Sequence, residues 1–246
     1  MWTPAALRSE VRGYAQSVWR VVETQYKAAT MRLTDSLEEQ RILEQLLEDS
    51  KPPLPPECQG LSFLLATPFR YAPYPFGSRF RRAVQPEGVF YGAEQIETAI
   101  SEAVFYALLF YLESPDMTLP TGPIAKTAFS VRCASDRSID LTVPKLDRDK
   151  ALWTHPTDYS PCQALADAAR EIDVQVIRYR SVRDEHGRAS VALMSPAAFT
   201  DRQVRGLQTW HFLIKSRAVV QAWCESPRMM LEFPAGRFQL DPRIPA

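Results

Sequence analysis

The stretch Phe76–Tyr111, FGSRFRRAVQPEGVFYGAEQIETAISEAVFYALLFY, constrains this chain more than any other. It reads as a glycine-anchored arginine cluster, a short buried strand GVFYGA, and a helix from Ala93 or Glu94 to about Leu112. Within that helix Ile96, Ala99, Ile100, Ala103, Val104, Ala107 and Leu108 make a broad apolar face. Glu102 borders the face instead of sitting opposite it, where a solvated carboxylate would be expected. Tyr91 follows Arg79 by twelve residues, and Glu102 follows Tyr91 by eleven. Cations, an aromatic ring and an acid so close in sequence suit an anionic nucleotide better than a purely structural role.

The surrounding chain predicts a scaffold for that segment. Its 29 basic and 29 acidic side chains cancel, so no overall field draws it to nucleic acid or to an anionic membrane. No apolar run approaches the ~20 residues of a membrane span. The start shows no basic region followed by an apolar one, so a cytoplasmic location is expected. Leu7, Val11, Tyr14, Val18, Val22 and Tyr26 recur at three- and four-residue steps and predict an amphipathic helix. A second helix is expected from Thr34 or Asp35, with Glu38 as capping-box partner and Ile42, Leu43, Leu46 and Leu47 as its apolar face. SKPPLPPE would end it, giving an N-terminal helical extension over residues 1–57 and a main domain over 58–246. That extension reads as a packed appendage, a dimer contact or a platform for another protein.

After residue 58, LSFLLA reads as a strand and TPFRYAPYPFGSRFRRA as a proline-stiffened loop. TAFSVR and SIDLTV predict two strands, followed by a helix from about Cys162 to Ile172. VQVIRYRSVRD and ASVALMS read as strands about a DEHGR turn, and QTWHFLIK, AVVQAWC and MMLEF as further strands. Strands outnumber helices and do not alternate regularly with them. The expected class is therefore α+β, with mixed, mostly antiparallel sheets and flanking helices.

Several chemistries find no support in the motifs. There is no GxGxxG or GxxxxGK[ST], and no HExxH or GxSxG. Cys58, Cys133, Cys162 and Cys224 have no metal-ligand spacing and read as core thiols, so no metal is expected. His186 lies in the DEHGR turn, while His155 in WTHP is placed to line a pocket.

GSRFRRA…GVFYGAEQIETAISEAVFY, followed by DYSPCQALADAARE and IRYRSVRDEHGRASVALMSP, resembles the RES domain family across about Pro68 to Pro196. The resemblance implies a fold like that of ADP-ribosyltransferase toxins. It also implies the toxin role of a type II toxin–antitoxin pair, with an Xre-like antitoxin from an adjacent gene as partner. The implied activity is cleavage of the nicotinamide–ribose bond of NAD⁺, as substrate and not cofactor, with inorganic phosphate or water as acceptor. The family's Arg, Tyr, Glu and Ser fall on Arg79, Tyr91, Glu102 and Ser181. The loop between Arg79 and Tyr91 is longer than in the shortest family versions, so Arg81 or Arg82 is placed to share the anion contact.

The residue types fit that chemistry. A guanidinium grips phosphate through paired hydrogen bonds, and a fixed carboxylate stabilises an oxocarbenium-like ribose. Tyr91 offers a ring to nicotinamide or a hydroxyl to ribose, and Ser181 a donor to substrate. Arg70, Arg81, Arg82 and Arg183 are candidates for a second phosphate-holding cation, and Tyr71 adjoins the first of them. Two rival readings stay open: a mono-ADP-ribosyltransferase using the same site on a protein, and a lapsed binding module acting through its N-terminal helices. A homo-oligomer is also compatible with the sequence.

Overall fold

The structure, a computed structural model, describes residues 2–24, 33–70, 75–114, 116–216 and 219–244. Eight strands form one sheet in the order β1-β2-β5-β4-β3-β6-β7-β8. They are β1 (Arg12–Glu23), β2 (Phe90–Ala93), β3 (Ile124–Asp140), β4 (Val176–Arg180), β5 (Ala189–Leu193), β6 (Arg205–Ser216), β7 (Val219–Cys224) and β8 (Met229–Pro234). Every pairing is antiparallel except β3 with β4. The helices are α1 (Pro4–Arg8), α2 (Leu37–Asp49), α3 (Phe63–Arg70), α4 (Ile96–Leu112), α5 (Pro144–Asp147), α6 (Lys150–Trp153) and α7 (Ser160–Arg170). The class is α+β.

β3 organises the sheet. One edge pairs with β1 from Glu23↔Lys126 to Arg12↔Ser138. The other edge is shared, with β6 along its first half and β4 along its last three residues. Because β1 also meets β2 at Trp19↔Ala93, strands β1, β2, β5, β4 and β3 close into a ring. α4 lies beside that ring and packs Ile100, Val104, Phe105 and Leu108 against β6, β7 and the C-terminal segment.

Four expectations need correction. The predicted first helix is largely the strand β1. Tyr14, Val18 and Val22 are four residues apart, and steps of four satisfy a period of two as well as one of 3.6. Residues 12–23 are therefore part of the sheet, and besides the short α1 the α-helical part of the proposed extension is α2. Its cap is Ser36, which accepts from the Glu39 amide at 3.1 Å, while Glu39 reaches back to the Asp35 amide at 2.9 Å. The expected strand LSFLLA is helical: α3 buries Leu65, Ala66 and Phe69, with Pro68 inside it. TAFSVR and the first three residues of SIDLTV lie on one continuous strand, β3, whose register against β6 shifts between Ala128 and Ser130. Tyr26, expected on the same helix, lies outside the described residues.

Gly88 sets how close the strand β2 comes to α3. A Cβ there would lie 2.1 Å from the carbonyl oxygen of Pro68, so no other residue fits without moving backbone.

Candidate active site

α4 is apolar enough to bury on most sides, yet it buries Thr98 and Ser101 and carries Glu102 beside them. All three hydrogen-bond one turn, residues 181–188. Thr98 donates to Asp184 at 2.5 Å, Ser101 to the Arg183 carbonyl at 2.5 Å, and Ser181 donates to Glu102 Oε1 at 2.6 Å. The turn is also self-capped. Ser181 Oγ accepts from the amides of Arg183 and Asp184, at 3.2 and 3.1 Å, and Asp184 accepts from the His186 amide. A hydroxyl has one proton, and that of Ser181 is on Glu102. Ser181 thus positions the carboxylate, with its one proton directed at Glu102.

Burial pushes the Glu102 pKa up, opposed by the Ser181 hydrogen bond and by the charges of Arg183 and Arg79. If ionised Glu102 is the working form, activity falls as pH drops through this raised value. The acid limb of the kcat/KM profile should therefore lie above the ordinary carboxylate range, near 4.3. Ser181→Ala removes a bond that favours the charged form, so it should move that limb to still higher pH. An unmoved limb would show that Ser181 does not tune Glu102.

The loop before β2 brings Arg79 to the same cleft. Tyr91 accepts from the Phe80 amide at 3.0 Å and lies 2.8 Å from Ser78 Oγ, so its hydroxyl clamps the residues on either side of Arg79. Arg79 Nη1 donates to the carbonyls of Trp153 and His155, at 2.8 and 3.1 Å, and the guanidinium stacks on Tyr159 at 4.6 Å. The guanidinium also hydrogen-bonds the Cys162 thiol. The fork is held by these groups and lines the cleft, where it can meet an anion. The His155 side chain is an acceptor for the amides of Thr157 and Asp158, not a cleft group.

The cleft has a volume of about 290 Å³. Trp19, Ala93, Ser190 and Tyr179 form a row across β1, β2, β5 and β4 and line it. Ser190 Oγ in that row is buried and has no hydrogen-bond partner among the described residues. Arg79, Tyr91, Glu102 and Tyr106 complete the wall, together with Arg20. Burial pushes Tyr91 and Tyr179 up, so both phenols stay neutral.

Arg20 escaped the sequence reading because β1 had been read as helix. It donates to the Tyr91 carbonyl at 3.3 Å, stacks over Phe90 at 4.7 Å, and has no carboxylate partner among the described residues. Burial pushes its pKa down to about 10, which still leaves it charged. A signal was present: a lone basic residue in the apolar run SVWRVV.

The other candidate cations lie elsewhere. Arg70 pairs with Glu48 at 2.6 Å and donates to the Pro52 carbonyl, tying α3 to α2. Arg82 pairs with Asp167 at 2.6 Å, and Arg81 donates to the Phe76 carbonyl; neither lines the cleft. Arg183 is buried, pairs with Asp241 at 2.8 Å and lies 3.7 Å over the Phe105 ring. Tyr71 lies outside the described residues. Arg79→Ala and Arg20→Gln should each weaken binding of inorganic phosphate or pyrophosphate in the cleft roughly tenfold or more, the worth of a charge-assisted hydrogen bond to phosphate. Arg82→Ala should change it less than about twofold. Titration calorimetry decides, and an equal loss in all three would remove the distinction between cleft and surface arginines.

A family model of the RES domain matches residues 54–215, well over half of the chain. The chain belongs to the RES domain family. The match begins at Leu54, so β1 with Arg20 and the segment carrying Asp241 fall outside it. Among solved structures, the chain is similar to one in the crystal structure of the M. tuberculosis MbcT-MbcA toxin-antitoxin complex. The two are 14% identical with a TM-score of 0.43, over 93% of this chain and 89% of that one. No role is carried over from that likeness. Comparison with curated proteins finds no match.

Proposed function

We propose that this RES domain protein cleaves the nicotinamide–ribose bond of NAD⁺, and that it does so as the toxin of a type II toxin–antitoxin pair. The observation that carries the reading is Glu102. It is a half-buried carboxylate oriented by Ser181, in a cleft it shares with two arginines that have no carboxylate partner of their own among the described residues. A site with more positive than negative charge, walled by aromatic rings, suits a dinucleotide whose diphosphate is anionic and whose base is flat.

In the proposed reaction the bond between ribose C1 and the nicotinamide nitrogen breaks, and its electron pair leaves with nicotinamide as a neutral molecule. The ribose becomes oxocarbenium-like, and the Glu102 carboxylate stabilises that charge. An incoming oxygen then bonds C1. Phosphorolysis requires a cation for the attacking phosphate besides the one on the diphosphate. Of the arginines weighed here, Arg20 is the one that shares the cleft with Arg79. We therefore favour inorganic phosphate as acceptor.

The toxin role and a proteinaceous antitoxin, Xre-like and from an adjacent gene, rest on the resemblance to the family. Nicotinamide release from NAD⁺ by the purified chain, followed by chromatography, tests the chemistry. Loss of cellular NAD⁺ on expression, prevented by the neighbouring gene's product, tests the pairing. A folded chain that releases no nicotinamide would refute the enzymatic reading.

A further inference from the structure

Glu102, Tyr106 and Phe110 follow one another at four-residue steps along α4, and Ala99, Ala103 and Ala107 make a parallel row of small side chains. Small residues on a helix that packs beside a strand leave a channel, since nothing fills the space that larger side chains would occupy. The opposite wall is β1, through Trp19 and Val21 at one end and Val22 and Glu23 at the other. This channel is longer than the catalytic cleft. A second hollow of about 460 Å³ continues it and shares Val21, Ala103 and Tyr106 with the first. Its own lining adds Ala107, Phe110 and Tyr111, together with Lys126, which is paired with Glu23.

Tyr106 and Phe110 are 53% and 52% exposed, large aromatic side chains left open beside a polar site. Eight residues of helix separate Glu102 from Phe110, a rise of about 12 Å. From Trp19 to Glu23 the strand rises about 13 Å. Both walls therefore extend the cleft by the same length, and that length is on the order of the reach from a reacting ribose across a diphosphate to a second base. The far hollow has flat apolar groups and no unpaired cation, so it suits a neutral heteroaromatic ring and not a phosphate.

We propose that the groove between α4 and β1 is a second base subsite, in which Tyr106 and Phe110 hold the adenine of the dinucleotide while the nicotinamide ribose lies at Glu102. This assignment rests on the dinucleotide reading of the cleft. It makes Tyr106 and Phe110 specificity-determining residues that favour the whole dinucleotide over its nicotinamide half.

The test uses the full chain carrying Glu102→Gln, to prevent turnover, and saturation-transfer difference NMR with NAD⁺ and with nicotinamide mononucleotide. The adenine protons of NAD⁺ should receive saturation from the protein. Adding Phe110→Ala should weaken NAD⁺ binding by roughly fivefold or more, the range found for base stacking on aromatic side chains, and leave nicotinamide mononucleotide unchanged. Phe110 lines the far hollow and not the cleft, and its side chain is exposed enough to be replaced without loss of the fold. Saturation of the nicotinamide protons without the adenine protons would overturn the subsite alone. So would equal weakening of both ligands by Phe110→Ala. Absence of any NAD⁺ signal from folded protein would overturn the dinucleotide reading and the subsite with it.

Discussion

Glu102→Gln should abolish nicotinamide release, with kcat lowered by about a thousandfold or more, while the protein stays folded. Glutamine keeps the shape of the side chain and an oxygen that can accept from Ser181, so the contact between α4 and the 181–188 turn is preserved. What disappears is the negative charge next to the developing ribose cation. In a buried site such fixed electrostatic stabilisation is worth several kcal/mol, the range seen when a single charge-stabilising group is removed from an active site. NAD⁺ affinity should hardly fall, because Glu102 contributes nothing attractive to the anionic diphosphate. The substitution should separate kcat from binding, whereas loss of Arg79 should act mainly on NAD⁺ binding and loss of Arg20 on binding of the attacking phosphate. Nicotinamide release at near wild-type rate would show that Glu102 is a structural acid that happens to line the cleft.

The largest stability effect is expected from Asp241→Ala. Asp241 is fully buried and accepts from Arg183 and Arg243, each at 2.8 Å. Arg183 is 3% exposed, and its guanidinium also donates to the Pro156 carbonyl. Removing the carboxylate leaves a buried guanidinium uncompensated, a change that costs about 3–5 kcal/mol. For a chain of this size that corresponds to a fall in Tm of roughly 6–20 °C. Replacing Arg183 and Asp241 together with apolar residues should recover much of the loss, since the penalty lies in the orphaned charge. Although burial opposes it, the Asp241 pKa is held down by the Arg243 hydrogen bonds and the charge of Arg183. A lowered folded-state pKa contributes stability above the unfolded value, and that stability is lost as pH falls through the folded one. The variant should accordingly show a shallower loss of stability on acidification. Thermal melts across pH measure both effects, and an unchanged Tm would show that the pair is not needed to hold the turn.

The site was more legible than the frame around it. Arg79, Tyr91 and Glu102 lie within one stretch whose strand and helix are local, so periodicity places them without knowledge of the fold. Ser181 was reachable through the family resemblance, but its job was not: only the fold shows that its proton is held by Glu102. Thr98 and Ser101 were a missed sign, since three polar residues at helical spacing on an apolar helix mark a surface that meets backbone or a polar turn. β1 was misread because Tyr14, Val18 and Val22 suit either period, and Arg20 was lost with it. α3 was misread because a short apolar run such as LSFLLA does not discriminate helix from strand. Its docking against β2, which Gly88 allows, is a tertiary effect. The fates of Arg70, Arg82 and Arg183 depend on Glu48, Asp167 and Asp241, which are 22, 85 and 58 residues away in sequence. No local pattern announces such partners.

The most direct test is phosphorus NMR of NAD⁺ incubated with the purified protein, with and without inorganic phosphate. The predicted result is ADP-ribose 1″-phosphate, formed only when phosphate is present and absent when Glu102→Gln replaces the wild type. ADP-ribose in both buffers would make the enzyme a hydrolase, and intact NAD⁺ in every sample of folded protein would contradict the account at its centre.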